Sequence, residues 1–225
     1  MEKRFKVGLP DVVVVFDEAT RRRLREISRK KAIDMSDILF VVDTARKRKQ
    51  LFQRANPSKP MERFVKSAAR GELGDAVARI LDEFEKHLWK FENRDKILQM
   101  DLAEALRERR RRASTLKKHG GEPETIVSHS KVLPPDKIAE ATGIPEKVVS
   151  AFLRAHQQYN ELLEEYYEHS DKYGEFLNKI AEILAEEPTL FHIYKERKKN
   201  VHPKLENAYN RALEIRYLRN MGANP

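Results

Sequence analysis

The stretch "RERRRRASTLKKH", residues 107–119, packs seven Lys/Arg into thirteen positions. Guanidinium and ammonium groups at that density suit one chemistry above others, the neutralisation of a polyanion's phosphates. On a helix four consecutive arginines, Arg109, Arg110, Arg111 and Arg112, spread around every face. The run therefore reads as a phosphate-contacting helix end or an exposed arm, with a solvated, ion-paired helix terminus as the alternative. A second run, Arg21, Arg22 and Arg23, has the same character. Other chemistries lack their residues. Cysteine is absent, which excludes a disulfide scaffold, a thiolate metal site and a cysteine nucleophile. The histidines at 87, 119, 129, 156, 169, 192 and 202 do not pair at metal-ligand spacing. Glu164, Glu165, Glu168 and His169 resemble helix-borne metal ligands, but no second Glu-x-x-His accompanies them. No phosphate-binding glycine loop, nucleophile elbow or HExxH is present. No catalytic residue, metal site or cofactor is expected, and the chain does not read as an enzyme.

The charge is divided along the chain. Residues 1–120 hold 31 Lys/Arg against 19 Asp/Glu, a net of +12; residues 121–225 hold 14 against 17, a net of −3. A basic half points to a polyanion partner, DNA or RNA, while the acidic half disfavours a membrane surface and leaves room for a protein partner. The sequence shows no signal peptide and no apolar run of transmembrane length, so an intracellular, cytoplasmic protein is expected. Hydrophobic residues at 40% are enough for a core despite 36% charged residues. Abundant Lys, Arg and Glu without Cys fit hyperthermophile usage.

The elements that must position these charges are mostly helical. "NPSKP" at 56–60 separates a first block from the rest of the chain. Leu73, Val77, Ile80, Leu81, Phe84, Leu88 and Phe91 recur at three- and four-residue spacing, with Trp89 expected in the same core. Ile97, Met100, Leu102, Leu106 and Leu116 predict a further helix after Asn93. Residues 117–136, with a Gly pair and three prolines, read as a loop where the charge changes sign. Helical spacing resumes from Asp136, and tyrosines 159, 166, 167 and 173 read as helix packing. The chain thus divides into three regions: 1–54, a basic helical region 61–118, and a helical domain 119–225.

The first block is the one place with strand-like sequence. Val12, Val13, Val14, Val15 and Phe16 suit a pleated surface, but a lone strand needs a partner for its backbone. A helix starts near Asp17, with Leu24 and Ile27 inside. A second starts at Asp34 or Ser36 and runs through Ile38, Leu39, Val41, Val42 and Ala45. Strand, helix, capped turn and helix within about 40 residues, "FDEA" then "AIDMSDIL", resemble the ribbon-helix-helix family of DNA-binding repressors. The resemblance implies an obligate homodimer whose strands, Val12–Phe16, pair into a ribbon, with Ser36 at a phosphate-binding helix N-terminus. Valines cannot read a donor/acceptor pattern. Arg4 and Lys6, alternating with Phe5, Val7 and Leu9 in "KRFKVGL", supply the polar strand face that base readout requires.

A second motif lies at 133–155, "LPPDKIAEATGIPEKVVSAFLRA". It resembles a helix-turn-helix. Ala139 allows close packing, Gly143 suits a left-handed turn, Pro145 suits a helix's first turn, and Ile138, Val148, Val149 and Phe152 form a small core. If this motif reads DNA, Glu146, Lys147, Ser150, Ala151 and Arg154 are on the exposed reading face, of which only Lys147 and Arg154 are basic; a plain helical corner is the alternative. The expectation is a mainly α protein with an N-terminal ribbon-helix-helix-like element and a multi-helix body. It would bind double-stranded DNA as a homodimer, in transcription regulation or in maintaining a plasmid or viral genome. A helical scaffold without DNA readout is the other reading.

Overall fold

The computed structural model of the chain describes residues 35–58 and 60–222, with side chains from residue 37 on. The described residues form eight helices and no strand. These are α1 (Met35–Ala55), α2 (Met61–Ala69), α3 (Glu72–Lys118), α4 (Pro123–His129), α5 (Pro135–Thr142), α6 (Glu146–Glu186), α7 (Thr189–Arg197) and α8 (Pro203–Asn220). They make two compact units. Of the described residues, the first takes those up to Trp89 together with those from Gly174 on; the second is the continuous stretch Lys90–Tyr173. Helices α3 and α6 contribute residues to both.

The expected ribbon-helix-helix element is corrected here. A ribbon helix must offer its apolar face to a second chain. In α1 that face, Ile38, Val41, Val42 and Ala45, is buried within the first unit. Ile38 and Val41 line an apolar gap with Val77, Ile80, Leu81, Ile183 and Leu190 of the same chain. Residues distant in sequence thus cover the surface that a partner would have covered. The strand expected at Val12–Phe16, the readout residues Arg4 and Lys6, and Arg21, Arg22 and Arg23 lie outside the described residues, as does the side chain of Ser36.

The first unit closes around α7, which packs on α2 and α1 and buries Leu190, Phe191, Ile193 and Tyr194. Its charges are largely consumed internally. Glu186 accepts from Arg46 at 2.9 Å and from Arg219 at 3.0 Å. Buried Glu187 takes Lys49 at 3.0 Å and the Thr189 hydroxyl at 2.6 Å. Arg197 donates to the Ala69 carbonyl, at the end of α2, and to Asp75, each at 2.6 Å. The Tyr194 hydroxyl donates to Asp82 at 2.7 Å, and Lys198 bridges Asp82 and Glu85. Carboxylates of the acidic C-terminal half therefore answer cations of α1.

Three local expectations are also corrected. α3 is one helix of 47 residues with no break at Asn93. Nothing from Asn93 to Lys118 is a Gly or Pro, and Asn alone costs little in a helix. Trp89 is 64% exposed, whereas Phe84 and Leu88 are fully buried; one residue beyond Leu88 rotates the indole about 100° off the core stripe. Residues 117–136 are not all loop. α3 runs to Lys118, and α4 occupies Pro123–His129 with Pro123 in its first turn, where a missing N–H is harmless.

Candidate nucleic-acid interface

The C-terminal half of α3 delivers the chain into a Gly pair that ends it. Gly120 has φ 82. Its N–H donates to the Lys117 carbonyl at 3.0 Å, and the Gly121 N–H donates to the Leu116 carbonyl at 3.1 Å. This double closure satisfies the carbonyls left over at a helix end. A side chain on Gly121 would meet Ile144 Cδ1 at 2.7 Å and Leu116 Cγ at 2.9 Å, so the backbone here lies directly on the core behind α5 and α6.

That core holds Leu116, Ile126, Ile138, Ile144, Val149 and Phe152, backed by Ala113, Val127, Ala139, Val148 and Leu153. Each of α3, α4, α5 and α6 contributes, so the short α4 and α5 do not depend on their own length for stability. α5 ends at Gly143, φ 71, whose N–H donates to the Ala139 carbonyl at 2.9 Å. Pro145 then opens α6, its carbonyl accepting from Val148 and Val149. The two helices and the left-handed glycine turn expected over 133–155 are thus present. With Val149, Phe152 and Ala155 buried, the opposite face of α6 carries Glu146, Lys147, Ser150, Ala151 and Arg154 at three- and four-residue steps. Lys147 and Arg154 are exposed, Ser150 half-buried.

The arginine run is resolved into separate duties. Arg111 and Arg112 both donate to Glu108, at 2.9 and 2.7 Å; these bonds hold the Glu108 carboxyl below its ordinary range. Arg109 is turned inward, its guanidinium 5.2 Å from the Tyr159 ring centre. Beside it, His156 is held below the ordinary imidazole value by burial first and by the Arg109 charge second. The His156 ring stacks on Phe152 with centroids 6.0 Å apart. Arg110 remains exposed, as does Arg107, which sequence reasoning did not single out. Neither forms an ion pair among the described residues. The signal for Arg107 was Glu108 itself, which at i+3 and i+4 takes two arginines and leaves the others free.

Charge is polarised within this unit. Residues 105–158 carry eleven Lys/Arg against six Asp/Glu, a net of +5, and the flanking 90–104 and 159–173 carry four against nine, a net of −5. Positive charge is therefore concentrated in the C-terminal part of α3 and in the segment from α4 to the first turns of α6. At the acidic end Arg94 pairs with Glu165, Lys172 bonds Glu168 at 2.6 Å, and His169 Nε2 lies 3.0 Å from the Phe91 carbonyl. Among the described residues no group of three His, Asp or Glu could hold a metal ion. Tyr173 stacks on Phe91, and burial together with Glu92 pushes its hydroxyl up to about 12; Tyr167, by contrast, is exposed rather than packed. No helix is long and apolar enough to cross a membrane among the described residues. Comparison with protein-family models, curated proteins and solved structures finds no match to this chain.

Proposed function

We propose that the chain binds double-stranded DNA through residues 105–158, with the first turns of α6 as the reading helix. The supporting observation is the pair of cations without ion pairs on that helix, Lys147 and Arg154, flanking Ser150 and Ala151 and mounted on a closed apolar core that α3, the helix of exposed Arg107 and Arg110, also enters. Arg154 suits a bidentate contact to guanine, and Ala151 suits a thymine methyl. Arg107, Arg110 and Lys147 serve phosphates, which position without specifying. Such a protein would act inside a cell, in transcription regulation or genome maintenance.

The test is duplex binding as a function of salt. Affinity should fall steeply as salt rises, and Lys147→Ala should reduce the slope by about one unit while weakening all sequences alike. Arg154→Ala should cost about 1–3 kcal/mol and relax discrimination at one position. No duplex binding at low salt would overturn the reading, and full displacement by single-stranded RNA would redirect it. The remaining alternative, a helical scaffold for protein partners, is favoured by the carboxylates at the acidic end of the second unit and predicts no salt-dependent duplex binding.

A further inference from the structure

Within the second unit α3 turns one face inward, where Leu98, Ala105 and Leu116 are buried. The opposite face carries Lys96, Ile97, Met100, Ala103 and Glu104, all exposed. Met100 is 72% and Ile97 49% exposed. Lys96 and Glu104 have no hydrogen bond or ion pair among the described residues. Each lies four positions from Met100, one before it and one after.

We infer that this face docks a second copy of the chain, the two α3 helices running antiparallel about a two-fold axis through Met100. Such an axis sets residue 100−k of one helix against 100+k of the other. Lys96 then meets the partner's Glu104, and the reciprocal pair forms on the other side. Ile97 meets the partner's Ala103, and Met100 meets its own copy. A parallel pairing would instead oppose Lys96 to Lys96 and Glu104 to Glu104, which is why the charges select the antiparallel arrangement. The acidic residues dominating this end of the unit, Glu161, Glu164, Glu165 and Glu168, belong to α6 and not to this face. Glu108, the next carboxylate along α3, is already held by Arg111 and Arg112.

The contact is short. Lys96 to Glu104 spans about 12 Å of helix, so association belongs to the weak, reversible class. The two Leu116 positions would lie roughly 48 Å apart along the axis, sending the α5–α6 turns to opposite ends of the pair. Self-association of this kind needs no nucleic acid, so its failure and the failure of duplex binding are read separately.

Sedimentation velocity of the full chain over a concentration series tests it. The wild type should show a reversible monomer–dimer equilibrium. Lys96→Glu and Glu104→Lys should each weaken it about tenfold, since each replaces two attractive pairs by two repulsive ones. The double variant Lys96→Glu/Glu104→Lys should regain wild-type association. Met100→Glu, which brings two carboxylates together on the axis, should abolish the dimer. All three positions are exposed, and unchanged helical circular dichroism verifies folding. A monomeric mass up to about 100 µM, a dimer indifferent to either single reversal, or a double variant weaker than both singles would each overturn it.

Discussion

The two units differ in what their carboxylates do with the cations. In the first, the buried and half-buried carboxylates hold cations: Arg46 and Arg219 share Glu186, Lys49 is held by buried Glu187, and Lys198 bridges two carboxylates, while exposed Arg63, Arg70, Arg79 and Arg216 stay outside these pairs. In the second, exposed cations on α6 and on the C-terminal part of α3 are left over. Lys147, Arg154, Arg107 and Arg110 have no ion pair among the described residues, although Glu108 absorbs two neighbours. Counting charges does not distinguish these situations. An arginine with its carboxylate in place is structure; one without is available to a ligand. Within the basic run itself, the difference between Arg111 and Arg112, both held by Glu108, and exposed Arg107 and Arg110 narrows the run to its unpaired members.

The largest effects should come from breaking each core in turn. Phe152→Ala in the second unit and Leu81→Ala in the first each remove a side chain at most 2% exposed, at a cost of about 3–5 and 2–5 kcal/mol respectively. Denaturant unfolding should register both losses. Duplex affinity should collapse for Phe152→Ala and persist for Leu81→Ala at a temperature where it remains folded; equal losses in both would erase the contrast. Next, Glu187→Ala strands Lys49 and removes the acceptor of the Thr189 hydroxyl and N–H. With Lys49 still about a fifth exposed, the expected loss is about 2 kcal/mol of unfolding free energy. Duplex binding should be unchanged, because this cation was never available.

Gly143→Ala places a Cβ in the left-handed region with nothing within 4 Å of it, so its cost is purely conformational, about 1–2 kcal/mol. Thermal melting should show it, and a shift beyond that range would mean the turn is tied to more than its own backbone. The smallest effect is of pH. The His156 imidazole sits below its ordinary value through burial and then Arg109, so the unfolded chain takes up this proton before the folded one. The stabilisation is complete above about pH 6.5 and is lost as pH falls below it towards the lowered folded value. His192, held down by burial and Lys195 in the first unit, contributes with the same sign. His156→Gln should therefore flatten only part of the acid limb of a stability–pH curve; no change would remove His156 from the account.

Much of this was legible because it is local. The spacing of Leu73, Val77, Leu81, Phe84 and Leu88 describes a helix face whatever it packs on. Ala139, Gly143, Pro145, Val149 and Phe152 describe a helical corner within a single short stretch of sequence. What covers a face is not local. Ile38, Val41 and Val42 announce an apolar stripe, but Val77, Ile183 and Leu190, which line the same gap, lie far along the chain, and the nearest pattern on offer was a partner's ribbon. The same holds for charge: that Glu186 would take Arg46 and Arg219, while Lys147 would go without, depends on which helices meet. The short helix α4 was hidden by composition. Its Pro123 and Ile126 are buried and Val127 packs on the shared core, and those contacts organise a segment that otherwise reads as turn.

The two glycines that frame the candidate interface are constrained by different properties of space. Gly143 is exposed, with φ 71; what it answers to is handedness, and a D-alanine introduced there by chemical ligation should keep the turn that L-alanine strains. Gly121 answers to volume, since Ile144 and Leu116 already occupy the place of a side chain. The α5–α6 turn is therefore held by chirality and the α3–α4 turn packed behind it by bulk, and a mirror-image residue tells the two apart.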